Sequence, residues 1–261
     1  MWGRIAALLL RYLYLYRRSL ARAMEVFFWP VMDLLVWGFV TVYFQKLAAP
    51  RALLFLLGAV IFWDVFYRSQ QAITLSLTEE VWVRNLLNVF IAPVRTTELV
   101  LATCLLGVIR AVLSAAVLGV LAFVFYAFDL RTLGPALLPY LVSILLFGWA
   151  VGMTTMAIIL RFGHAAEALI WGTPFLLQPI SAAFYPVSVL PPVLRKIALA
   201  LPTTHVFEGM RATLQTGRPD FTPLLPAYAL NAVYLALAGA FFGWMMKRVR
   251  EKGYLARLAM E

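Results

Sequence analysis

Two carboxylates, Asp33 and Asp64, interrupt long apolar runs. An ionised carboxylate in hydrocarbon is costly, so such a residue faces a protein interior or a water-filled path and finds a cation. Arg110 lies inside an apolar run of its own, and the spacing predicts that Asp33 or Asp64 pairs with it. Aromatic residues, Trp37, Trp63 and Tyr67 among them, crowd the same two runs. One reading is a buried salt bridge that fixes packing, with the aromatics as core and interfacial belt. The other is a path whose walls suit sugars or amphipathic lipids. The two readings are compatible. A second charged pair, Glu208 and Arg211, is three residues apart. On a helix these two meet, and a local ion pair is expected there, with His205 near enough to join it.

Other chemistries lack their residues. No G-x-x-x-x-G-K-[ST] occurs, so there is no P-loop to cradle nucleotide phosphates. The single cysteine, Cys104, and the two histidines, His164 and His205, give no multi-ligand metal spacing. Cys104 reads as a packed thiol and His164 as a polar turn residue. No nucleophile–base arrangement stands out. The chain is not expected to be an enzyme or to hold a cofactor, and any ATP hydrolysis would belong to a separate subunit.

The elements that position these groups are membrane helices. Of 261 residues, 64% are hydrophobic, against about 45–50% in soluble domains. The net charge of +10 fits the cytoplasmic Lys/Arg bias of membrane proteins better than nucleic-acid binding. Residues 1–25 form an amphipathic helix at the interface. At about 100° per residue, Arg4, Arg11, Arg18 and Arg22 share one face, turned toward anionic head groups. Trp2, Ile5, Leu9, Leu13, Tyr16 and Leu20 share the other. The start has a weak signal-peptide look, but arginines interrupt it and no small-residue cleavage site follows; it reads as retained.

Residues 26–261 then read as a six-helix transmembrane domain, with spans near 26–44, 52–73, 99–128, 136–160, 165–183 and 224–246. Both termini fall on one side. With the termini inside, the inner segments gather most of the basic residues, including Arg17, Arg68, Arg84, Arg95, Arg161 and the C-terminal tail. The positive-inside rule therefore puts the termini in the cytoplasm. No internal repeat or low-complexity segment is seen.

Two stretches do not fit plain spans or loops. Gln178 to Arg211, QPISAAFYPVSVLPPVLRKIALALPTTHVFEGMR, is broken by prolines into apolar pieces shorter than the roughly 20 residues a span needs. Such pieces read as re-entrant helices, here about 184–215. The ordered residues Pro179, Phe184, Tyr185, Pro186, Leu190, Pro191, Leu194, Ala198, Pro202, His205, Glu208 and Arg211 resemble the C-terminal signature of ABC-2 type permeases, the membrane subunits of ABC exporters. The polar segment EEVWVRNLLNVFIAPVRTTELV is similar to that family's cytoplasmic coupling helix, about 80–93, with Glu80, Arg84, Leu86, Leu87, Pro93 and Glu98 matching its form.

The resemblance covers nearly the whole chain. It implies a permease subunit that pairs with a second copy of itself in the bilayer of a bacterial inner membrane. Two separate ATP-binding subunits, carrying ATP and magnesium, would dock on the coupling helices. Export of an amphipathic substrate (lipid, lipid-linked glycan or drug) would follow, along a path including Asp33, Trp37, Trp63, Asp64 and Tyr67. Two rivals remain: an ion-coupled secondary transporter using Asp33 and Asp64, and a non-transporting membrane assembly subunit.

Overall fold

A computed structural model describes residues 1–46, 54–83, 85 and 94–252, with the backbone alone at residues 20–23, 25, 26, 44–46, 54 and 81. Every regular element among them is helical: α1 (Trp2–Arg18), α2 (Leu20–Lys46), α3 (Leu54–Trp82), α4 (Thr96–Tyr126), α5 (Leu137–Phe162), α6 (Ala168–Leu177), α7 (Pro192–Leu199), α8 (Pro202–Thr216) and α9 (Leu224–Glu251), with short 3₁₀ turns between some of them.

Local chemistry sets the boundaries. Ser19 turns to extended backbone (φ −124°, ψ 104°) and separates α1 from α2. The α4 start carries a capping box, in which the Glu98 carboxylate accepts the Arg95 backbone N–H at 2.9 Å. At its other end Ala127 adopts a left-handed conformation (φ 53°), and the Phe128 N–H reaches back to the Ala122 carbonyl. Pro192 and Pro202 open α7 and α8, where a missing N–H costs nothing. Gly217 (φ 69°) closes α8.

The centre of the bundle is α3, flanked by α4 and α5, with α9 packed on α5 and α2 laid against α3 and α4. It is unusually polar for that place. Arg68, Ser69, Gln70, Gln71, Thr74, Ser76, Thr78 and Glu80 are all buried. Several of the hydroxyls return to their own helix carbonyls, as Ser76 Oγ does to Ala72 O at 2.6 Å. Close approach to α5 is made possible by Gly148 and Gly152, four apart on one face. A methyl group built on Gly148 would lie 2.6 Å from Ser69 Cβ and 2.9 Å from the Phe66 carbonyl oxygen, and one on Gly152 would lie 2.8 Å from the Gln70 carbonyl oxygen. This is the small-xxx-small contact of membrane helix pairs.

Two hydrophobic clusters occupy opposite ends. One joins α1 to the C-terminal ends of α3, α5 and α9 and the start of α4, through Ile5, Leu8, Tyr12, Leu77, Leu99, Leu160 and Val249. The other joins α8 to the start of α3, the end of α4 and the start of α5, through Leu57, Leu118, Tyr140, Val206, Phe207 and Met210. The amphipathic start and the proline-broken stretch therefore lie at opposite ends of the bundle.

Three helical stretches among the described residues are long and apolar enough to cross a membrane: Thr96–Tyr126, Leu130–Ala166 and Leu224–Glu251. Phe27–Tyr43 and Ala168–Ile180 are apolar but shorter. The fifth expected span, 165–183, is built from the ten-residue α6 flanked by 3₁₀ turns at Gly163–Ala166 and Gln178–Ile180. The expected polar segment from residue 74 is also corrected: α3 runs on to Trp82, because its polar residues are buried against neighbouring helices rather than set free in a loop. Arg68, counted above with an inner loop, is 1% exposed inside α3.

Candidate functional site: an aromatic cavity and the clamps around it

Helical spacing assembles the site. Trp29, Asp33 and Trp37 recur every four residues on one face of α2. Val60, Trp63, Asp64 and Tyr67 occupy one face of α3 by the same rule. Both faces look into a cavity of about 370 Å³, closed by Pro30, Pro174, Phe175, Gln178 and Phe184. All five residues expected to line a path are in its wall. Phe184, part of the proline-broken stretch, stacks on Trp37 with ring centroids 4.5 Å apart and planes 3° from parallel. Trp63 rests against Phe66 at 4.9 Å. The volume is that of a site for a drug-sized molecule.

The charges in this wall are arranged differently from the sequence expectation. Asp64 pairs with Arg68, one helical turn along α3, at 3.2 Å, and accepts the Ser114 hydroxyl of α4 at 2.5 Å. Arg110, the expected partner, instead holds its guanidinium over the Tyr16 ring of α1, 5.1 Å from the centroid. The i,i+4 spacing of Asp64 and Arg68 could have predicted the pair. Counting Arg68 with an inner loop, although it falls within the expected span 52–73, removes it from consideration. Asp33 is more exposed than Asp64, and no hydrogen bond or ion pair from it is found among the described residues.

Behind the cavity the proline-broken stretch is fastened by Arg211, whose side chain is 3% exposed. Its guanidinium donates to the carbonyls of Ala182 (2.8 Å) and Ala183 (3.2 Å) and to Glu208 Oε1 (2.9 Å), and lies over the Phe55 ring at 5.5 Å. Ala182 has φ 52°, the left-handed region an alanine seldom occupies. Glu208 also accepts the Val187 backbone N–H at 2.6 Å. The Tyr185 hydroxyl donates to the Pro179 carbonyl, and Thr204 Oγ1 donates to Ser181 O at 3.1 Å. The Glu208–Arg211 pair is as expected from sequence. His205 does not join it; its Nε2 lies 2.8 Å from the Leu199 carbonyl oxygen. Pro186 opens a short 3₁₀ turn and Pro191 precedes α7.

A third group of contacts sits at the opposite end. Arg11 of α1 pairs with Glu80 at the end of α3 (2.6 Å), and Arg4 pairs with Glu98 at the start of α4 (2.9 Å). Both glutamates are almost completely buried. The Glu80 hydrogen bond holds the Arg11 guanidinium above its ordinary pKa. Asn85 Nδ2 donates to Glu80 at 2.7 Å. The α1 arginines expected to face head groups are thus partly turned inward, since two buried carboxylates give them a stronger partner than a solvated phosphate. On the far side of the α3 end, Trp82 Nε1 donates to Glu167 Oε1 (2.6 Å), which also contacts His164 Nδ1 (2.5 Å). Of the expected coupling residues, Glu80 and Glu98 are seen in these pairs; Arg84, Leu86, Leu87 and Pro93 lie outside the described residues.

Among curated proteins none matches the chain. The family model of the ABC-2 type transporter matches residues 7–214. That range takes in most of α1, the cavity wall of α2, α3 and α6, and the Arg211 clamp, and on this match the chain belongs to the ABC-2 type transporter family.

Proposed function

We propose that the chain is the permease subunit of an ATP-driven exporter, with two copies forming a translocation path and each docking a separate ATP-binding subunit. The observation that carries the reading is the cavity. In a chain of this family, α2, α3 and α6 bring two carboxylates and five aromatic side chains around one drug-sized space, and Phe184 of the proline-broken stretch adds a sixth. Six spans with cytoplasmic termini, α7 and α8 as re-entrant helices on the outer side, and a coupling helix around 80–93 complete the reading.

The mechanical logic follows from α3. Its turns run unbroken from the cavity residues Trp63, Asp64 and Tyr67 to Glu80. That is about 24 Å at about 1.5 Å per residue. Displacement of the segment after Trp82 by an ATP-binding subunit closing on nucleotide would tilt α3 and reshape the cavity it walls, a rigid-body mode of switching.

Affinity purification of the tagged chain from its native membrane in mild detergent, with mass spectrometry of what accompanies it, tests this. A stoichiometric P-loop ATPase is the expected result. Recovery of the intact chain alone would overturn it. It would favour the ion-coupled alternative, for which the shared position of Asp33 and Asp64 in one cavity is the supporting observation.

A further inference from the structure

The charge balance of the cavity wall is uneven. Asp64 is answered from within the protein by Arg68 and Ser114. Arg68 is buried and turned onto Asp64, Arg110 is turned onto Tyr16, and neither lines the cavity. Asp33 does line it, with no hydrogen bond or ion pair among the described residues. Around Asp33 the wall is built from Trp29, Trp37, Trp63 and Tyr67, with Asp64 also in the wall and Arg68 behind it. An aromatic ring presents a negative face. A cation against Trp or Tyr gains attraction that grows when water is excluded.

The wall discriminates among amphipaths on these grounds. An anion would meet a carboxylate that no hydrogen bond or ion pair engages among the described residues, and ring faces of its own sign. A neutral glycan gains from stacking but needs many donors and acceptors, and apart from the two carboxylates this wall offers it the Gln178 amide, the Tyr67 hydroxyl and the donor-only indole N–H groups of its tryptophans. A cation with a compact apolar body uses both the rings and Asp33.

We propose that the cavity binds an amphipathic organic cation, with its ammonium or phosphonium centre beside Asp33 and its apolar body between the Trp29, Trp37, Trp63 and Tyr67 rings. This rests on the reading of the cavity as part of the permease's path, and it narrows the substrate class.

The test is photolabelling of the full-length chain in nanodiscs with two benzophenone amphipaths of the same body, one ending in trimethylammonium and one in a neutral hydroxyl. The labelled peptides are mapped by mass spectrometry. The ammonium form is expected to label α2 and α3 peptides of the cavity at a roughly tenfold lower concentration than the neutral form. Asp33→Asn should erase that preference and Asp33→Glu should keep it. Equal labelling of the cavity by both forms, or a preference that survives Asp33→Asn, would overturn the charge assignment and leave the path reading standing. Labelling by both forms only outside the cavity would overturn the path reading itself. Asp33 loses no hydrogen bond on substitution, so the variants should insert and fold; if Asp33→Asn does not, Trp63→Leu, expected to weaken labelling by the ammonium form at least fivefold, decides the matter.

Discussion

Arg211 is the side chain whose removal should cost most for its size. Arg211→Met keeps a long apolar stem over Phe55 and removes the guanidinium. Two carbonyls at Ala182 and Ala183 then lose their donor, and Glu208 loses its cation. Breaking a buried pair by deleting one partner costs about 3–5 kcal/mol. Here Glu208 is a third exposed and keeps the Val187 N–H, which puts the ion-pair share at the lower end. The two orphaned carbonyls restore the total, since each buried unsatisfied group costs about 1–3 kcal/mol. A loss of about 4 kcal/mol is therefore expected. At about 2–4 °C per kcal/mol for a chain of this length, the unfolding midpoint should fall by about 8–16 °C. The assay is the midpoint for loss of the monodisperse peak on size-exclusion chromatography after heating in detergent. Arg211→Lys should fall between wild type and Arg211→Met, because one ammonium cannot span Glu208 and both carbonyls with the planar fork of a guanidinium. An Arg211→Met midpoint within about 2 °C of wild type, at most about 1 kcal/mol on the same scale, would refute the clamp. Arg211→Lys matching wild type would refute the geometric part of the argument.

Three further outcomes are expected. Gly148→Val should reduce the amount of folded protein recovered from membranes, since even a methyl there sits 2.6 Å from Ser69 Cβ and overpacking costs about 1–3 kcal/mol; Gly172→Val, where nothing lies within 4 Å, is the control. In a double-mutant cycle on Arg11→Ala and Glu80→Gln, thermal midpoints should reveal a coupling of about 1–2 kcal/mol, the worth of a charged hydrogen bond in a half-exposed pair, whereas additive losses would mean that the pair contributes nothing. Replacing Leu86 and Leu87 together by Asp should abolish co-purification with the ATP-binding subunit while leaving the chain inserted, and unchanged co-purification would remove these residues from the docking surface.

The parts legible in the sequence are those where local rules suffice. Arg211 and Glu208 are one helical turn apart, and prolines punctuate the stretch before them, so the pair and the broken helices could be read directly. The residues of the cavity wall stand out in the sequence as carboxylates and crowded aromatics in apolar runs, while their sharing one cavity rests on how α2 and α3 pack. The rest depended on tertiary contacts. Hydropathy ended the second span at Ile73, because Thr74, Ser76, Thr78 and Glu80 look like a loop. They are buried against other helices. Among the described residues no ion pair joins Asp33 or Asp64 to Arg110, because α1 sets the Tyr16 ring against its guanidinium, a contact that no local spacing announces. Gly148 and Gly152 carried a readable four-residue signal. The Arg4–Glu98 and Arg11–Glu80 pairs carried none, being separated by most of three helices in the chain.

Those two pairs limit how the segment between α3 and α4 can move. Arg11 holds its beginning at Glu80, and Arg4 holds its end at Glu98. The two arginines are seven residues apart on α1, two turns along one face. A push on the segment that separated its ends would have to break a pair whose acidic member is buried. A push that moved both ends together would break neither and would carry α1 with it. The displacement that would keep both pairs is a concerted one of α1 with the adjoining ends of α3 and α4. Trp82 and Glu167 (2.6 Å) attach the turn before α6 to the same unit. Since α3 and α6 both wall the cavity, such a displacement reaches it from two sides at once. Crosslinking α1 to the α4 start should then leave any ligand-driven rearrangement of the cavity intact, whereas crosslinking α1 to the α5 end, across the moving boundary, should suppress it. Suppression by the first crosslink would show that the segment moves by opening its ends instead.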